Sequence, residues 1–327
     1  MNLLRVSVRA PAAAGVFVCA VLGVLSGCAT PQVIQLDAHW PAQLPAVARI
    51  DNVPFFPQEQ YQCGPAALAM LAQTAGVQVQ PDDLTDQVYL PGRQGSLQVE
   101  MLAAARRRGL LAYPLAPRLE AVLREVASGN PVLVLQNLMF SFAPLWHYAV
   151  VIGFDRDRNT IVLHSGVTER LEMSLFTFER TWARGEHWAM VALQPSRLPA
   201  TAEPEPYASA AAALERVQPR AAQTAYASAL AAWPGQRSAM LGAGNAAYAL
   251  GQLEQAASAY QAATVQHADF ADAWNNLAQM QLELGRVQQA QQAINKAVEL
   301  GGARLLRYLE LQQEIAGASQ GNQRAKP

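Results

Sequence analysis

The spacing of apolar and polar residues divides the chain into stretches of different character. Ala12–Val24 is an unbroken apolar run of 13 residues, too short for a stable spanning helix, which needs about 20. Residues 28–48 have little periodicity and three prolines, which predicts a tether. From 49 to 197, helix and strand signals are mixed. Helical spacing predicts helices over 64–75, 96–108 and 117–128, with Ser96 as an N-cap and Leu97, Met101 and Leu102 on a buried face. Apolar, β-branched runs predict strands over 131–138, 147–154 and 160–164, the last two joined by the polar turn Asp155–Asn159. Helices followed by a strand meander argue for an α+β domain with an antiparallel sheet rather than a parallel α/β sheet.

Residues 198–206 predict a second linker, with three prolines in nine residues. Beyond it, residues 207–316 are helical and rich in alanine, and a repeat appears at a spacing of 34. Ala222, Ala256 and Ala290 align, as do Tyr226, Tyr260 and Ile294, then Ala229, Ala263 and Ala297; Gly251 aligns with Gly285. Helix, glycine turn and helix at this period resembles tetratricopeptide repeats, in which small residues let paired helices approach closely. Two clear units and a partial one are visible. So short an array is expected to lean on the first domain or on a closing helix over 303–315, leaving 317–327 as a disordered tail.

Charge narrows the function classes. The whole chain carries −1, and removing the cations Arg5 and Arg9 with a leader leaves −3, so no basic footprint for nucleic acid is present. His39, His187 and His267 are scattered without metal-ligand spacing. No glycine-rich phosphate loop occurs, and neither metal nor cofactor is expected. Residues 1–27 read as a signal peptide, with Arg5 and Arg9 ahead of the apolar run and Ser26 and Gly27 ahead of Cys28. Leu25-Ser26-Gly27-Cys28 resembles a lipobox, which implies acylation of Cys28 and attachment to a membrane by several acyl chains. Ala29 after the cysteine implies the outer membrane, with the chain on the periplasmic face.

Cys19 would leave with the leader, so Cys63 is the one unmodified thiol of the exported chain. Export compartments favour disulfides, and a lone thiol there is a candidate for chemistry. Cys63 opens an expected helix, where unpaired amides and the helix dipole favour thiolate. His147 opens an expected strand, and a cysteine on a helix facing a histidine on a strand is a papain-like arrangement. Taken alone, a cysteine such as Cys63 is more often a buried structural thiol, and a histidine such as His147 more often a strand-end surface residue.

Val53-Pro54-Phe55-Phe56-Pro57-Gln58 ahead of Tyr61-Gln62-Cys63-Gly64-Pro65-Ala66-Ala67-Leu68 resembles the bacteriocin-processing, double-glycine cysteine peptidases. Gly129–Leu135 followed by His147–Asp155 is similar to the same family. The resemblance spans about residues 50–194. It implies a papain-like peptidase domain in which Cys63 is the nucleophile, His147 the base and Gln58 an oxyanion donor. Two departures stand out. Gln58 lies five rather than six residues before the cysteine, with Gln60 and Gln62 nearer. No carboxylate stands in Ile161–Gly166, where the family places an Asp that orients the histidine. Ser165, His164 or a backbone carbonyl could take that place, with Asp155 a weaker candidate, or the site could work as a dyad. The reaction so implied is hydrolysis of a peptide or protein through a thioester, with the repeats holding substrate or a protein partner. A degenerate peptide-binding or envelope-assembly scaffold and an acyl-transfer enzyme using the same residues are the alternatives.

Overall fold

The structure, a computed structural model, describes residues 30–57, 62–93 and 95–324. Cys28 and Gln58 lie outside these residues. The first domain comprises α1 (Pro31–Ala38), β1 (Val47–Arg49), α2 (Cys63–Thr74), α3 (Asp82–Val88), β2 (Tyr89–Leu90), β3 (Gly95–Ser96), α4 (Gln98–Arg107), β4 (Leu111–Pro114), α5 (Leu119–Ala127), β5 (Val132–Asn137), β6 (Trp146–Asp155), β7 (Thr160–Ser165), β8 (Thr168–Ser174), α6 (Leu175–Ala183) and β9 (Ala189–Leu193). Its main sheet is antiparallel, in the order β4-β9-β5-β6-β7-β8, with β1 pairing the far end of β6. The α+β class with an antiparallel sheet, expected from the order of elements, is what the chain forms.

Helix α2 packs on β6, β9 and β5, while α5 and α6 pack on β5–β8. Val132–Leu135 and Ala149–Phe154 are buried, as strands covered on both faces require. Ser96 is not the N-cap of α4. It lies in β3, Leu97 takes the capping position without a side-chain bond, and a Cβ added at Gly64 would stand 2.2 Å from Ser96 Oγ. The glycine after Cys63 therefore makes room for Ser96.

Two stretches expected as connectors are folded. Within 28–48, α1 is pinned by the buried Glu179, which accepts the amides of Gln32 and Val33 at 2.9 and 2.8 Å. A carboxylate at a helix N-terminus satisfies donors that have no partner inside the helix. Val33 and Leu36 then enter the core. Within 198–206, the buried Glu125 accepts from Ala200 N, Thr201 N, Thr201 Oγ1 and Asn130 Nδ2 at 2.6–3.1 Å.

The second domain stacks α7 (Pro204–Glu215), α8 (Pro219–Ala232), α9 (Arg237–Ala249), α10 (Leu253–Gln266), α11 (Ala271–Glu283) and α12 (Val287–Leu300), and closes with α13 (Leu305–Arg324). Three helix pairs stand where two and a part were legible. The aligned alanines and Tyr226, Tyr260 and Ile294 are all buried, and Gly251 and Gly285 turn with φ of 72° and 74°. The closing helix runs past Ile315 to Arg324, so the expected tail is helical over 317–324. Tyr207 packs on Tyr113, and one apolar core runs from the sheet into the first repeats. Among the described residues, no helix is long and apolar enough to cross a membrane.

Candidate active site

Cys63 is the first residue of α2, and Gln62 before it makes no side-chain cap. Among the described residues, no side chain caps the opening amides of the helix. The amides of Cys63 and Gly64 turn toward the sulfur, and so does the amide of Tyr148 on β6. The thiol is thus placed against the residue that follows His147. Burial nevertheless pushes its pKa above the ordinary value, with those three amides opposing the rise. The helix end does not outweigh desolvation, so the thiol rests protonated at neutral pH.

His147 Nε2 lies 2.9 Å from Ser165 Oγ, across from the strand β6 to the end of β7. Burial pushes the imidazole down to about 4, with no compensating charge. A neutral imidazole hydrogen-bonded through Nε2 keeps Nδ1 for another partner. His164 sits one residue earlier on β7 and faces the other side of the sheet, because consecutive strand residues alternate. There it is buried, with Nε2 3.3 Å from Val53 O and Nδ1 accepting from Arg170 N at 3.2 Å. Both ring nitrogens are engaged, so His164 serves the fold and does not meet His147. Asp155 caps the β6–β7 turn by accepting from Arg158 N, at the opposite end of β6.

The structure therefore sets Cys63 against the Tyr148 amide and His147 against Ser165, with His147 and Tyr148 consecutive on β6. Tyr148 escaped the sequence reading because it acts through its backbone. Gln136, the cross-strand neighbour of His147, also escaped it. It is buried and donates from Nε2 to Thr181 Oγ1 at 2.6 Å. Its position in an apolar strand was the available signal. Trp182 is core, stacked on Phe178, and Trp188 packs edge-on against Tyr148, while Trp146 is exposed. No group of three metal-ligating side chains occurs among the described residues.

The fold is that of a C39-like peptidase domain followed by a helical repeat array. Residues 50–187 match the Peptidase_C39 like family, and residues 207–269 and 241–304 match the tetratricopeptide repeat. The first domain belongs to that peptidase family, and the second is an array of tetratricopeptide repeats. No curated protein matches the chain. Among solved structures, a C39-like peptidase from Bacillus anthracis is 18% identical, covering 46% of this chain and 98% of that one, with a TM-score of 0.38. A double-glycine motif protease from an AMS/PCAT transporter, in complex with a leader peptide, is 20% identical over 44% of this chain and 93% of that one, at a TM-score of 0.34. The tetratricopeptide domain of Sgt2 from Aspergillus fumigatus is 27% identical over 41% of this chain and 88% of that one, at 0.33.

Proposed function

We propose that the protein is a cysteine peptidase of the cell envelope, acylated on Cys28 and held at the periplasmic face of the outer membrane. The observation that carries the chemistry is the Cys63 sulfur at an uncapped helix N-terminus, beside the strand residue that follows a neutral, hydrogen-bonded His147. Substrate binding expels water and brings a carbonyl to the sulfur. Sγ bonds to the carbonyl carbon while its proton passes to Nδ1 of His147. The amide C–N bond then breaks as that proton moves to the departing amine, leaving a thioester. Water adds to the thioester, and the acid leaves with Cys63 restored as thiol. The Cys63 amide and the Gln58 side chain serve the oxyanion, a contribution of about 3 kcal/mol per donor.

The repeats supply recruitment. A cavity of about 430 Å³ opens among α9, α11 and α13, lined by Asn245, Asn276, Gln279, Arg307 and Glu310. Asn275 also reaches it, with a buried Oδ1 that has no partner. Polar side chains of this kind suit the backbone of an extended peptide. Lipid attachment rests on the Leu-Ser-Gly-Cys segment.

A second reading, a peptide-binding scaffold, is favoured by the raised thiol and by a hydroxyl where the family places a carboxylate. Proteolysis of an envelope peptide library, followed by mass spectrometry, separates the two. The peptidase yields new termini and a trapped acyl-enzyme on Cys63, both lost in Cys63→Ala and His147→Ala. Retained peptide affinity with no cleavage by the unaltered chain establishes the scaffold.

A further inference from the structure

The loop between β5 and β6 leaves the sheet beside the candidate site and exposes an apolar surface. Residues 138–146 read Leu-Met-Phe-Ser-Phe-Ala-Pro-Leu-Trp and contain no charge. Phe142 is 87% exposed, Phe140 61%, and Leu145 and Trp146 52% each, and the two phenylalanines stack at 5.3 Å. Contiguous exposed apolar surface of this kind marks an interaction site.

Part of the loop's backbone is satisfied from within. Leu138 N bonds Leu145 O, Ala143 N bonds Phe140 O, and Met139 N and Leu145 N both bond Asn137 Oδ1. Asn137 Nδ2 returns to Phe140 O, and Pro144 has no N–H to satisfy. Internal bonds lower the cost of taking the loop's backbone out of water, amides without them can meet headgroups at the boundary, and a tryptophan at its base is the residue that prefers the interface.

The placement of the N-terminus selects a membrane over a peptide. Helix α6 starts at the β6–β7 turn, where Leu175 N bonds Asn159 O, and ends beside the loop, where Arg184 Nε bonds Asn137 O at 3.0 Å. Helix α1 runs the other way. Its first amides sit on Glu179, and Trp40 beyond its end packs on Phe154 near the β6–β7 turn. The first described residues of α1 thus lie nearer the loop's end of the domain than its last residues do. Glu179 and Arg184 are five residues apart, about 7.5 Å along α6. Cys28 is two residues from Thr30, at most about 7 Å of chain. Val167 in the β7–β8 turn, 77% exposed, adds to the same end.

We propose that the 138–146 hairpin inserts its apolar tip into the headgroup–acyl boundary of the membrane, so that the Cys63–His147 site opens toward the lipid surface. The choice of lipid as the occupant rests on the proposed acylation of Cys28, whereas the docking measurement needs neither acylation nor catalysis. The consequence of docking, that the peptide bonds cut are presented at the bilayer, rests on the peptidase reading.

The test uses the chain from residue 28 onward, with Cys28→Ser, and vesicles of phosphatidylethanolamine and phosphatidylglycerol at 3:1. Co-sedimentation is expected, and Phe142→Asp, at an exposed tip, should weaken it about tenfold while leaving the thermal midpoint unchanged. A failed peptidase assay leaves this measurement standing. Three results overturn the docking: no vesicle binding; vesicle binding equal in Phe142→Asp; or a loss in Phe142→Asp confined to cleavage of a soluble peptide or to a dimer seen by sedimentation velocity.

Discussion

Ser165 is the residue on which the chemistry of His147 turns. A hydroxyl 2.9 Å from Nε2 orients the ring but brings no charge. The imidazolium therefore bears its desolvation uncompensated, which is why burial carries it down to about 4. The thiol is shifted the opposite way, so both groups are neutral at pH 7, and in the proposed reaction proton transfer would be drawn by substrate. A carboxylate at position 165 would reverse the first effect. An opposite charge within about 4–6 Å raises an imidazolium's pKa by about 1–3. Ser165→Asp is therefore expected to favour the thiolate–imidazolium pair and to speed iodoacetamide alkylation of Cys63 at pH 6 about tenfold or more. Ser165→Ala should leave the position of the pH profile unchanged. A profile unmoved by Ser165→Asp would show that position 165 does not neighbour the imidazole in solution. Cys63 and His147 stood out as candidates in the sequence because they sit in distinctive flanks. The choice between His164 and Ser165 was not legible, because it depends on which face of β7 each occupies beside the register shift near Leu163.

Elements were legible where their pattern is local. The apolar runs that became β5, β6 and β7 announced themselves, and so did α2. Strand β9 did not, because it enters the sheet between β4 and β5 and its five residues pair with chain about 80 and 55 positions away. Strand β8 is largely polar and exposed, which hides an edge strand from a hydrophobic pattern. In the repeats, the 34-residue register disclosed the alanines but not two glycines in α9. A Cβ at Gly242 would stand 2.1 Å from the Tyr226 ring, and one at Gly244 would stand 2.3 Å from the Tyr260 ring. Both rings are buried and cannot swing aside freely. Alanine gains about 1 kcal/mol of helix propensity over glycine, whereas overpacking a filled interface costs about 1–3 kcal/mol. Packing prevails, so Gly242→Ala and Gly244→Ala should each lower the urea midpoint of unfolding followed by circular dichroism. A rise in either midpoint would mean that the repeat helices sit farther apart than described.

At the scale of the whole molecule, the repeats lean on the peptidase domain, as the shortness of the array predicts, but the residues that fix the junction were not legible. Residues 198–206 carry the prolines of a linker, but the group that fixes them is Glu125, 75 residues earlier, buried in α5. No local signal announces such a partner. The same holds for α1, held by Glu179 from 146 residues away. Glu125→Ala would strand the amides of Ala200 and Thr201 and the Asn130 side chain without their acceptor. A hydrogen bond to a charged group contributes about 1.5–3 kcal/mol, and a buried donor left alone costs about 1–3 kcal/mol. The variant should therefore lose about 3 kcal/mol or more, and the loss should fall on the junction. Trypsin is then expected to cut at Arg197, separating a peptidase fragment from a repeat fragment, and unfolding should split into two transitions. Cys63 alkylation should be unchanged, because Glu125 touches neither the sulfur nor His147. A single unfolding transition at the wild-type denaturant concentration would show that the Tyr113–Tyr207 contact alone suffices to couple the domains. Coupling of this kind gives the repeat groove a fixed bearing on the thiol, so a protein held among α9, α11 and α13 meets the site in one orientation.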